Sequence, residues 1–79
     1  MKHSDIQLIN NFLIKEGYKT TGDPVYFVKK NTAIDVFSDG LVQIWRIKQN
    51  EKIGEFKARF YQSFVNQYNE LKEEKYGLK

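Results

Sequence analysis

The stretch IDVFSDGLVQIWRIK, residues 34–48, holds the strongest turn signal in the chain, Asp39-Gly40 set between two apolar runs. Loop length decides the reading, because a one-residue slip in register turns every side chain of a strand to the opposite face. A two-residue Asp39-Gly40 loop would set Asp35 against Ile44 and Val36 against Gln43, mixing polar and apolar groups on both faces. A three-residue loop, Ser38-Asp39-Gly40 with Gly40 in the left-handed bulge position, pairs Val36 with Val42, Ile34 with Ile44 and Asp35 with Gln43. Only the second register separates oil from water, and it is the one expected.

Upstream, a tight turn at Lys30-Asn31 brings Phe27 opposite Ile34 and Val25 opposite Val36. Strands are thus expected over about Val25 to Lys29, Thr32 to Phe37 and Leu41 to Lys48. One face of the ribbon reads Val25, Phe27, Ile34, Val36, Val42, Ile44, without a polar group. The other reads Tyr26, Val28, Ala33, Asp35, Phe37, Leu41, Gln43, Trp45, Ile47, which is mixed and rich in rings.

Ser4 followed by Gln7 has capping-box spacing, and Gly17 stands where a helix end favours a left-handed residue, so a first helix is expected from about Asp5 to Glu16. Ile6, Leu8, Ile9, Phe12 and Leu13 fill one arc of it, and Ile14 falls outside that arc among polar groups. TTGDP, residues 20–24, reads as loop. A second helix is expected from about Glu55 to Tyr76, closed by Gly77, with Phe56, Phe60, Tyr61, Phe64, Val65, Tyr68 and Leu71 as its apolar half. Such a helix spans about 33 Å and overhangs strands of roughly 17 to 27 Å. The expected fold is α+β in the order αβββα: a three-stranded antiparallel sheet with two helices on one face, forming a single domain over residues 1–79.

A chain of 79 residues buries only about 60% of its unfolded surface, so its twelve aromatic residues (six Phe, five Tyr, one Trp) must supply much of the core. There is no cysteine, which excludes disulfides, thiolate metal sites and thiol catalysis together. Asp5, Gln7, Asn10 and Asn11 interrupt the apolar start of the chain, so no membrane span or secretory signal is expected and the localisation expected is cytoplasmic. The formal charge of +3 lies entirely before Phe60, since residues 60–79 carry three charges of each sign.

Groups for catalysis are scarce. His3 is the one histidine and sits near the chain start, the five glycines are scattered, and the carboxylates stand singly. No catalytic residue, metal site or cofactor is therefore expected, and the protein is read as a non-enzyme. One alternative is a small histidine-free ribonuclease toxin using Tyr26, Arg46 and Lys48 around a phosphate.

The expected αβββα order, with Lys52 and Lys57-Ala58-Arg59 at the start of the second helix and Gln7, Asn10 and Asn11 on the polar face of the first, resembles a double-stranded-RNA-binding domain. The resemblance is one of topology: the turn Lys29-Lys30-Asn31 stands where that family carries a Gly-Pro-x-His loop. It implies RNA binding through the first helix and a basic patch on phosphates, here Lys52, Lys57 and Arg59.

The ring-rich face points elsewhere. Two helices roof one side of the ribbon, leaving Tyr26, Phe37, Leu41, Trp45 and Ile47 to meet a partner, with Lys29, Lys30, Arg46 and Lys48 along the edge. The expected function is docking on a larger protein or ribonucleoprotein, in the manner of a mobile-element inhibitor of a host nuclease such as an anti-CRISPR protein. Base stacking of single-stranded RNA on the same rings, homodimerisation through them, and cover by the chain's own loops and tail are the alternative fates of that face.

Overall fold

Gly40 adopts φ +97°, Phe37 N–H donates to the Leu41 carbonyl at 2.8 Å, and Gly40 N–H donates to the Phe37 carbonyl at 2.9 Å. The Asp39 carboxylate accepts the Leu41 N–H at 3.1 Å. This is the bulged three-residue loop, in a computed structural model that describes residues 2–20 and 26–74. The elements are α1 (His3–Lys15), β1 (Lys19–Thr20), β2 (Tyr26–Lys29), β3 (Thr32–Val36), β4 (Leu41–Arg46), β5 (Glu51–Lys57) and α2 (Tyr61–Glu74). All five strands form one antiparallel sheet in chain order.

The register follows the hydrophobic pattern: Val36 lies opposite Val42, Ile34 opposite Ile44, Asp35 opposite Gln43, and Phe27 opposite Ile34. Phe27, Ile34, Val36, Val42 and Ile44 are each 1% exposed or less. They meet Ile9 and Leu13 of α1 and Phe64 and Tyr68 of α2 in one core cluster. Phe12 adds edge-on ring contacts with Tyr61, Phe64 and Tyr68 at centroid distances of 6.3, 6.1 and 5.5 Å.

The sheet has five strands rather than the three expected, and the order is αβββββα. Residues 51–57, whose last part is expected in the second helix, form β5 instead, and α2 begins only at Tyr61. Phe56, Phe60 and Phe64 stand four apart and read as a helical stripe, while β5 itself is bulged: Ile44 pairs with Gly54 but Trp45 pairs with Lys52, so Ile53 is an extra residue and turns inward with its neighbour. Ile53 and Phe56 thereby reach the core three residues apart, a helical spacing produced by an irregular strand. Phe60 lies just before α2, 52% exposed, and is not part of the core stripe. β1 was missed because two residues carry no period; it pairs Lys19 with Val28 and Thr20 with Phe27. The third expected strand ends at Arg46, and residues 47–50 turn into β5 with Asn50 at φ +49°.

At the start of α1 the Ser4/Gln7 box does not form; the N-cap is Lys2, without a side-chain bond. Asp5 serves the other helix instead, its carboxylate accepting the Tyr61 N–H at 3.2 Å. Leu8, expected in the core arc, is 47% exposed. At the far end Gly17, φ +102°, makes the expected left-handed stop: its N–H reaches the Ile14 carbonyl at 3.0 Å and Tyr18 N–H reaches the Leu13 carbonyl at 2.9 Å. Val25 and Pro24 in the expected first strand and loop, and Tyr76 and Gly77 at the expected end of the second helix, lie outside the described residues. Among the described residues no helix is long and apolar enough to cross a membrane.

Candidate functional site

The sheet face turned away from the helices is built in cross-strand rows. Val28, Ala33, Trp45 and Lys52 form one row; Tyr26, Asp35, Gln43 and Glu55 form the next; Leu41 and Lys57 follow. Alternation along each strand puts these groups opposite the core side chains. Tyr26, Leu41 and Trp45 are half-buried, while Phe37 and Ile47, just past the ends of β3 and β4, are exposed.

Between the first two rows lies an open depression of about 230 Å³, lined by Tyr26, Ala33, Asp35, Trp45, Arg46, Ile47 and Asn50. Alanine at 33 makes the depression. Its neighbours across both strand pairs are Val28 and Trp45, so a larger residue there would fill the space between the rings.

One short side chain holds the rim. Asn31, in the turn between β2 and β3, accepts the Lys48 N–H on its side-chain oxygen at 2.8 Å, donates its amide to Gln49 at 2.8 Å, and accepts the Ile47 N–H on its own carbonyl at 2.8 Å. The β2–β3 and β4–β5 turns are thereby tied together beside Ile47 and Asn50.

The cations expected near nucleic acid divide into groups. Lys29 faces the helices: its ammonium donates to the Glu16 carbonyl at 2.7 Å and lies 5.6 Å from the centroid of the Tyr18 ring. Lys30, at φ +53°, and Lys48 stand exposed at the tied turns, near Arg46, which is opposite Thr32. Lys52 is committed to Glu55 at 2.8 Å. That contact, followed by the Gln43 amide at 3.0 Å, holds the Glu55 carboxyl below the usual carboxylate range. Lys57 and Arg59 lie at the opposite end of the sheet, around a hollow shared with Asp39 and Ala58. Neither sits on α2, so the basic patch expected at the start of the second helix is not assembled there.

No family model, curated protein or solved structure matches the chain. The site must therefore be read from its own chemistry. Among the described residues no cluster of three or more His, Asp or Glu side chains is placed to hold a metal ion. Tyr26 and Arg46 line the same depression, whereas Lys48 is exposed in the turn beyond it.

Sequence reading missed four contributors: Ala33, which provides the space, Asn31 and Asn50, which shape its edge, and Lys19, which enters the sheet through β1. Only Asn31 left a signal, as a turn residue. The others depend on cross-strand neighbours that no local window contains.

Proposed function

We propose that the protein is a non-enzymatic binding module that docks the open face of its sheet on a larger protein, acting as an adaptor or an inhibitor by occupancy. The supporting observation is the depression between Tyr26 and Trp45, bordered by exposed Ile47, on the side that neither helix covers. Large aromatic side chains grouped around a pocket are what carries binding energy at protein interfaces. The middle row, Tyr26, Asp35, Gln43 and Glu55, supports protein over RNA because it carries no cation to meet a phosphate backbone.

The test is affinity capture with the tagged protein and with Trp45→Ala, each before and after nuclease treatment, with folding of both checked by circular dichroism. Protein captured by the wild type, kept after nuclease treatment and lost with Trp45→Ala, supports the reading. Material released by nuclease, or retained equally by Trp45→Ala, overturns it. Cleavage of RNA abolished by Arg46→Ala would instead favour the ribonuclease alternative.

A further inference from the structure

We propose a second site, which does not rest on the docking reading: Lys19, Lys29 and Lys30, at the β1–β2 edge of the sheet, bind the multiply charged phosphate group of a small molecule. A hollow of about 420 Å³ lies there, lined by Gly17, Lys19, Val28, Lys29 and Lys30. Its volume falls within the roughly 300–1,000 Å³ of small-molecule sites, and it shares no residue with the depression on the open face. Three of the five lining residues are lysines and none is acidic, whereas the depression includes Asp35 and the hollow at the other end of the sheet includes Asp39.

The cations there are not spent on carboxylates. Lys29 is anchored: its stem passes Gly17, where an added Cβ would lie 3.4 Å from the Lys29 Cε, and its ammonium donates to the Glu16 carbonyl at 2.7 Å. The Glu16 carboxylate is taken by Lys72 at 2.8 Å. Lys19 and Lys30 are exposed and form no ion pair with a described residue. Like charges gathered without a counter-ion repel one another, and an anion in the hollow relieves that repulsion. Lys30 adds an independent observation. It stands at φ +53° in the two-residue turn between β2 and β3, a conformation that glycine, or asparagine as at Asn50, adopts at lower cost than lysine. An ammonium thus occupies a strained position at the hollow, and strain of this kind collects at ligand-binding sites. Lysine acts as a point charge, which suits a phosphate dianion; a carboxylate is better matched by the arginine fork, and no arginine lines the hollow. A nucleic-acid strand spreads single charges along its length and needs a track of cations rather than one hollow.

The experiment is titration of the isotope-labelled full chain with inorganic pyrophosphate at constant ionic strength, followed by NMR. The amide signals of Gly17, Lys19, Val28, Lys29 and Lys30 should shift together and saturate. Lys19→Gln and Lys30→Gly should each weaken binding about fivefold, the worth of one exposed charge contact, while Lys48→Gln, an equal loss of charge at the neighbouring turn, should leave it unchanged. Lys30→Gly should also unfold at a urea concentration no lower than the wild type, because glycine relieves the turn; binding lost with the fold intact separates ligand contact from structure. Trp45→Ala should bind pyrophosphate like the wild type, so failure of the docking reading leaves this site standing. The inference is overturned by the absence of saturable shifts, by Lys48→Gln weakening binding as much as Lys30→Gly, by an oligonucleotide without a terminal phosphate binding more tightly than pyrophosphate, or by a lower urea midpoint in Lys30→Gly.

Discussion

Gly40 and Ala58 meet backbone to backbone: the Ala58 N–H donates to the Gly40 carbonyl at 2.8 Å, and a Cβ on residue 40 would collide with the Ala58 carbonyl oxygen. The contact joins the β3–β4 turn to the chain just beyond β5. Two independent reasons therefore require glycine, the positive φ and the missing space. Gly40→Ala should cost about 2–4 kcal/mol, combining backbone strain with overpacking against a carbonyl that cannot yield. A chain of this size has roughly 4–12 kcal/mol in all, so the loss is readily visible in urea denaturation. Gly54→Ala is the control. A Cβ there would lie 3.3 Å from the Leu71 Cδ1, the movable end of a half-buried side chain, and Gly54 has no positive φ. Its effect should stay within about 1 kcal/mol of wild type. Equal losses for the two variants would mean that backbone contact with Ala58 does not set the requirement at Gly40.

Why that turn was legible and β5 was not follows from where the information lies. Gly40 sits between strict alternations, Ile34-Val36 and Val42-Ile44, and only one loop length sorts both. In β5 the bulge brings Ile53 and Phe56 inward three apart, and Phe56, Phe60 and Phe64 continue the sequence at helical spacing. The local pattern favoured a helix; pairing with β4 across a turn of four residues prevailed. The same holds at the site. Trp45 and Tyr26 were assigned to the open face by alternation alone, whereas the hollow between them depends on Ala33, whose small size matters only beside Trp45 across the ladder.

Asn31 should matter to binding without touching a ligand. Its side chain and carbonyl hold Lys48, Gln49 and Ile47. Asn31→Ala removes two exposed side-chain hydrogen bonds, worth about 1–2 kcal/mol together, and releases the turn that carries Ile47 and Asn50 at the depression. Thermal denaturation should show the modest loss, and hydrogen exchange should show faster amides at residues 47–50 while β3 stays protected. Unchanged exchange in that turn would leave the tie without consequence.

Asn10 presents the opposite case, a polar group whose removal should help. Its side-chain oxygen is buried, and no described residue donates to it. Burial of an unsatisfied acceptor costs free energy, and asparagine within a helix is a poorer helix former than alanine. Asn10→Ala should raise stability by about 0.5–2 kcal/mol, read as a higher urea midpoint with an unchanged slope. A lower midpoint would show that the side chain's packing outweighs its unmet hydrogen bond.

The two buried tyrosines should limit stability in alkali. Tyr68 is 0% exposed and Tyr18 3% exposed; the Tyr68 hydroxyl faces Tyr18 at 3.3 Å and Glu16 at 3.5 Å, while Lys72 holds Glu16 at 2.8 Å. Burial pushes both phenols above their ordinary range, and for Tyr68 the hydrogen bond it donates to Tyr18 adds to the effect. A phenol whose folded pKa is raised adds stability that is complete below its unfolded value near 10 and is lost as pH rises towards the folded value. Between those limits each such group contributes a slope of about 1.4 kcal/mol per pH unit. The urea midpoint should therefore fall steeply above pH about 10, with part of the tyrosinate absorbance appearing only as the chain unfolds. Tyr68→Phe removes one titrating group and should flatten that limb while lowering stability modestly at neutral pH. An alkaline limb of unchanged slope in Tyr68→Phe would assign the effect to other groups.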